Sequence, residues 1–404
     1  MTTTPAVSSP AMASPPLPGR LPARYGFLLL ASIVMSLLAA STAPSPLYGL
    51  YREAWGFSAL MLTFVFAIYA FALLGGLLVF GALSDHIGRR PVLLVALALE
   101  LGSLVLFWWA DSVGWLVAAR LLQGLATGIA TATLSAALLD LQRERGALVN
   151  SVAPMLGMAV GALGASALVQ FVPQPAHRVF EALGVLLLLQ TLAACCLAET
   201  VPRRAGAWAS LRPRLSIPKP ALSTLLLILP MNTAQWALGG FYTSLGPTLA
   251  RHVSGLNLPL IGGGLIATLV LSGAVGILWL RNRPARRVLA GSSAMLITGL
   301  AVTLWGIHAH AVLTLFAGSA IAGTGFGAGF NASVRSLVPL APAEQRGAMM
   351  ASFFVLSYLA FSVPALAAGL AVGLFGLEAT ALGYGAVLIV LCGWAGLKLV
   401  AREA

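Results

Sequence analysis

Twelve apolar runs of about twenty residues fill this sequence and leave it little choice of fold. They lie at 25–43, 59–80, 91–110, 114–137, 147–171, 179–198, 222–245, 259–280, 288–307, 311–334, 349–371 and 379–399. About twenty residues rising ~1.5 Å each cross a ~30 Å hydrocarbon core. Lipid offers no partner for peptide groups, so each run must close its hydrogen bonds within a helix. Only 8% of the 404 residues are charged, too few to cover a water-soluble surface of this size. The expected fold class is an all-α polytopic membrane protein of twelve transmembrane helices.

The basic residues set an orientation. With the amino terminus inside, one side holds 19 Lys and Arg in its links and the other holds Arg52, Arg178 and Arg251. Positive links stay in the cytoplasm, so both termini are expected there, in a multi-pass protein of the cell (inner) membrane. The same bias accounts for the net charge of +12 without nucleic acid as a partner. Residues 1–24 are rich in Pro, Ser and Thr and read as a disordered cytoplasmic tail, with no secretory-signal pattern. Cys195, Cys196 and Cys392 lie inside apolar runs and His177, His252, His308 and His310 in outside links. No metal spacing, nucleophile–base pair or cofactor loop emerges, so neither a metal nor a cofactor is expected and an integral membrane enzyme is disfavoured.

The chain repeats itself. "RERGALVNS" (143–151) returns as "EQRGAMMAS" (344–352), and the same offset pairs Gly124 with Gly325 and Gly128 with Gly329. Between the halves runs the Pro- and Arg-rich "AETVPRRAGAWASLRPRLSIPKPA". The expected domains are a six-helix bundle at 25–200, a cytoplasmic linker at 201–221 and a second bundle at 222–404, in a pseudo-symmetric pair. Such duplications build secondary transporters, with the substrate site between the halves.

Scarce charge gathers in "GALSDHIGRRP" (81–91), between the second and third spans. Positive-inside anchoring explains Arg89 and Arg90 but not Asp85 or the glycine spacing. The stretch resembles the signature loop of the major facilitator superfamily, Gly-x-x-x-Asp-Arg-x-Gly-Arg-Arg. Gly81, Asp85, Gly88, Arg89 and Arg90 match it, and His86 replaces an arginine. "RLLQG" in the fourth span resembles the family's antiporter motif through Arg120, Gln123 and Gly124. The drug-exporter motif is incomplete: "GMAVGALGASA" has Ala162 where a proline stands in that motif.

The resemblance implies the major facilitator fold and alternating access. It also implies a cytoplasmic gate in which Asp85 meets the start of the eleventh helix near Arg346, while Arg89 or Arg90 pairs with Asp140. Coupling candidates are Arg120, Gln123 and Glu100. By depth, Glu100 lies about 15 Å and Arg120 about 9 Å from the outer helix ends, at ~1.5 Å per residue. Glu100, on a helix the family places peripherally, is expected either to meet Arg120 or to sit near lipid, the latter favoured. Cavity candidates are Ser36, Thr127, Asn232, Gln235, Trp236, Tyr242 and Asn331, although Ser and Thr serve their own helix backbone equally well. The expected function is proton-coupled efflux of small organic molecules by a monomer in lipid; the alternative is a sugar or organic-acid permease.

Overall fold

A computed structural model describes residues 21–401, so most of the 1–24 tail, Arg20 and Arg402 lie outside it. Twelve apolar helices of spanning length follow one another: Ala23–Trp55, Ala59–Phe80, Arg89–Trp108, Val113–Leu141, Arg143–Phe171, Pro175–Ala194, Lys219–Ser244, Pro259–Leu280, Ala285–His308, Val312–Leu340, Ala343–Phe375 and Leu377–Leu399. They are called here the first to twelfth spans. The end that carries the 81–91 loop and the central linker is the basic end; the opposite one is the far end.

Two helices extend beyond their apolar runs at the far end. After a break at Ala43, Pro44–Trp55 prolongs the first span and stops at Gly56, whose φ is 65°. Gly246–Ser254 prolongs the seventh and stops at Gly255, again at φ 65°. Proline lies in the first turn of both extensions, at Pro44 and Pro247, since its missing N–H costs nothing there. Polar residues such as Arg52, Glu53, Arg251 and His252 hide both extensions from a hydropathy reading.

The repeat is visible in packing, but with a shifted register. Gly124 and Gly128 of the fourth span press on the second span at the Tyr69 and Leu73 carbonyls, where any Cβ would collide. Their geometric counterparts on the tenth span are Gly323 and Gly327, which press on Leu269 and Gly273 of the eighth. Gly325 and Gly329 face Ser292 of the ninth span instead, which corrects the pairing read from sequence. The register changes between the tenth and eleventh spans, where turns at Val338–Leu340 and Ala343–Gln345 take up extra length.

Close seams join the halves. Gly263 of the eighth span lies against Ala162 and Ser166 of the fifth, and Gly369 of the eleventh lies against Thr63 of the second. The small residues of "GMAVGALGASA" also let Gly157 and Gly161 approach Met35 and Ala39 of the first span. Small side chains suit such contacts because helix association in lipid relies on close backbone approach. At the far end Arg251 Nη1 lies 3.1 Å from Glu53 Oε1 across the halves, and Leu260 N donates to Gln170 Oε1 at 3.3 Å.

Candidate functional site

The least expected feature is a fully buried polar line inside the first half. Glu100, Arg120 and Gln123 all have zero exposure. Arg120 Nε donates to Tyr48 Oη at 2.7 Å, and Nη1 donates to the Ser41 carbonyl at 2.8 Å and to Gln123 Oε1 at 2.7 Å. Gln123 Nε2 in turn donates to the Ala40 carbonyl at 3.1 Å and to Glu100 Oε1 at 3.2 Å. The amide is thus a bridge: its oxygen takes the cation and its nitrogen serves the carboxyl. The guanidinium also lies over the rings of Tyr69 and Tyr48, 5.1 and 5.5 Å from their centroids.

An arginine in mid-span costs ~2.5–3.5 kcal/mol on insertion scales. Two or three charge-assisted hydrogen bonds at ~1.5–3 kcal/mol each, with cation–π contacts of ~0.5–2, offset that cost. Glu100, with zero exposure and a hydrogen bond from Gln123, does not face lipid. The third span turns it inward, and the expectation of a peripheral carboxyl is corrected. It does not touch Arg120 directly either. Glu100 Oε2 and Arg120 Nη2 remain buried without a hydrogen-bond partner.

Tyr48 carries this line to the far end. It lines a cleft of ≈ 380 Å³ between the halves, together with Ser45, Glu53, Gln170, Ser244 and Arg251. Tyr48 lies on the extension of the first span, so its importance could not be read from the apolar runs. The signal in hindsight is a tyrosine beside two helix-starting prolines.

The cavity candidates divide. Thr127 is 1% exposed and its hydroxyl bonds its own helix at Gln123 O, 2.9 Å away; Ser36 is buried as well. Asn232 donates to Ser357 at 2.9 Å, Gln235 to the Gly325 carbonyl at 3.3 Å, and Tyr242 shares a 2.7 Å bond with Ser319. In this conformation these three buried side chains knit the seventh, tenth and eleventh spans together inside the second half. Trp236 and Asn331 keep partial exposure. Trp236 sits in an aromatic cluster with Phe330, Tyr358 and Phe361, at centroid distances of 5.6, 4.8 and 5.9 Å. Phe66 of the first half joins it, 5.0 Å from Phe361. The spacing of Phe354, Tyr358 and Phe361 on one helical face was the available sequence signal.

The basic-end loop is tied to its own half. Gly88 has φ 106°, which a side chain would resist, and it starts the third span. Gly81 by contrast has an ordinary helical φ of -58°. Asp85 pairs with Arg89, and Arg89 Nε reaches Asp140 Oδ2 at 3.2 Å. Arg346 donates to the Ala341 carbonyl at 3.2 Å in the other half. Among the described residues Asp85 forms its ion pair with Arg89 and none with Arg346, so the expected Asp85–eleventh-span latch is not engaged in this conformation.

Glu199, absent from the sequence reading, is the residue that seats the loop. Its two oxygens accept from the backbone N–H groups of Arg89 and Arg90 at 2.8 and 3.1 Å. A carboxylate there satisfies orphan donors and meets the positive end of the helix dipole. His86 holds the central linker: Arg204 N donates to its carbonyl at 2.8 Å and its Nδ1 lies 3.0 Å from Ala205 O.

A family model described as Major Facilitator Superfamily matches residues 28–363. No curated protein matches the sequence. Among solved structures, the nucleoside transporter NupG, crystallised as a point mutant, is similar with a TM-score of 0.74. The two share 11% identity over 94% of this chain and 99% of the other, so the likeness is one of fold.

Proposed function

The chain belongs to the major facilitator superfamily, and from that membership we propose that this transporter exports small organic molecules in exchange for protons. It is a membrane transporter rather than an enzyme. The observation that carries the finer reading is the buried line Glu100–Gln123–Arg120–Tyr48, which ends at the far-end cleft. Glu100 is a carboxyl held deep in the bundle with one oxygen unpartnered. That oxygen is the place for a proton. Taking or losing it changes the charge beside Arg120, and Gln123 passes the change to the bonds that hold Ser41 and Tyr48. Because those bonds position the extension of the first span, protonation is coupled to the far-end contacts between the halves.

The basic end faces the cytoplasm in this proposal, with the protein a monomer in the inner membrane, as the placement of Lys and Arg supports. The cross-half contacts at Glu53–Arg251 and Gln170–Leu260, with the close seams at Gly263 and Gly369 beneath the cleft, support reading this as a conformation closed at the far end. Substrate enters from the cytoplasmic side against the Trp236–Phe330–Tyr358–Phe361 wall. That wall favours a partly apolar, planar organic molecule. A sugar or organic-acid permease would present its amides to the path, whereas the amide nitrogens of Asn232 and Gln235 donate to Ser357 and the Gly325 carbonyl inside the second half, and their buried oxygens have no hydrogen-bond partner there.

The test is transport by purified protein in sealed vesicles with an imposed pH gradient, scoring aromatic cations and neutral aromatics against sugars and organic acids. Acceleration of aromatic substrates by a gradient supports the reading. Equal transport with and without the gradient removes proton coupling.

A further inference from the structure

At the far end three residues from separate parts of the second half converge. His252 lies on the extension of the seventh span, His310 in the link after the ninth, and Glu378 at the start of the twelfth. We propose that His252, His310 and Glu378 form a surface site for a divalent transition metal of the zinc class. The inference does not depend on the transport reading.

The spacing is the first argument. His252 Nε2 and His310 Nε2 lie 3.6 and 3.9 Å from the same oxygen, Glu378 Oε2, and one ligand atom from each residue lies within 4.8 Å of the others. These separations are too long for hydrogen bonds, which fall at about 2.7–3.2 Å. The groups therefore ring a common point without bonding one another. Bonds of about 2.0–2.2 Å to a tetrahedral ion set ligand atoms about 3.3–3.5 Å apart. Both nitrogens lie within about half an ångström of that distance from the carboxylate oxygen, and the two imidazole nitrogens, up to 4.8 Å apart, must close by up to about 1.4 Å through side-chain rotation of the exposed rings.

The donor set is the second argument. Two imidazoles and one carboxylate suit Zn²⁺, Ni²⁺ or Cu²⁺ rather than Mg²⁺ or Ca²⁺, which prefer oxygen shells. Exposures of 42% for His252, 53% for His310 and 34% for Glu378 leave the site open to the aqueous phase and to a water as fourth ligand. His310 adopts φ 49°, uncommon for a residue with a side chain, and its ring lies 5.5 Å from that of His252. The nearest fixed charge on the same helix, Arg251, is turned to Glu53 in the other half. An ion here would clamp the helix that presents Arg251 to the links beside it.

The test uses tag-free full-length protein in detergent. Zn²⁺ is expected to raise the melting temperature saturably, and Mg²⁺ at the same concentration is not. Co²⁺ is expected to give visible absorption bands of a nitrogen–oxygen site. His252→Ala, His310→Ala and Glu378→Gln should each weaken the apparent Zn²⁺ affinity at least about tenfold, while His308→Ala, a neighbour outside the cluster, leaves it unchanged. Melting without metal shows that each variant is folded. Absence of saturable Zn²⁺ binding, or equal affinity in wild type and the three cluster variants, overturns the assignment.

Discussion

Arg120 Nε holds the phenolic oxygen of Tyr48 at 2.7 Å, with Arg120 on the fourth span and Tyr48 on the extension of the first. A charge in the middle of the bundle is thus tied to a residue that lines the cleft between the halves. Substitution of Arg120 tests this tie. Lysine keeps the charge but is a compact point donor without the planar fork, so it cannot serve Tyr48, Ser41 and Gln123 together. Arg120→Lys should lower transport by about tenfold or more, equivalent to ~1.4 kcal/mol, and Arg120→Ala should abolish it. Both variants should still insert, as checked by size-exclusion of detergent extracts. Wild-type rates in either would remove Arg120 from the mechanism.

Glu100→Gln keeps the shape of the side chain and removes the titratable oxygen. The expected variant still exchanges substrate down its own gradient but no longer responds to an imposed pH gradient. Flux measured in vesicles at equal and unequal pH decides the matter: a retained response would place the proton elsewhere.

Glu53 and Arg251 form an exposed ion pair across the far end, 63% and 31% exposed. Such pairs contribute ~0.2–1 kcal/mol, which changes a two-state population ratio about 1.4- to 5-fold. Arg251→Gln should therefore raise the far-end-open fraction by that modest factor. Spin labels on the two halves report the distance distribution. Exchanging the charges, with Glu53→Arg and Arg251→Glu together, should restore it, and high salt should weaken the wild-type pair.

Glu199 and Asp85 are expected to behave differently although both are acids at one loop. Glu199→Gln loses a charged acceptor at two helix N–H groups, costing ~1–3 kcal/mol and lowering the melting temperature. Asp85 is 55% exposed and pairs within its own loop, so Asp85→Asn should change stability by less than about 0.5 kcal/mol. Its effect belongs to the opposite conformation, where the loop's acid would meet the eleventh span. Asp85→Asn should enrich the basic-end-open state in label distances. The latch would be falsified if mutant and wild type gave one distribution.

The membrane class, the twelve helices and the family were legible in the sequence, because each rests on local or additive properties. An apolar run of sufficient length must be a helix wherever it sits in the bundle, and the loop around Asp85 and the "RLLQG" stretch keep their spacing without reference to neighbours. Facing is another matter. Asn232, Gln235 and Tyr242 share a helical stripe, yet only packing against the tenth and eleventh spans decided that this stripe looks into its own half. Glu100 was visible as a charge in a span, but its direction depended on the third helix's rotation and on Gln123 reaching from the fourth. Glu199 and the His252–His310–Glu378 cluster carry no sequence spacing at all, since their partners arrive from distant links. Sequence determines what each helix is made of and which medium it tolerates. Which side chains meet depends on rotations and registers between helices, and those are set by the packing of the whole bundle.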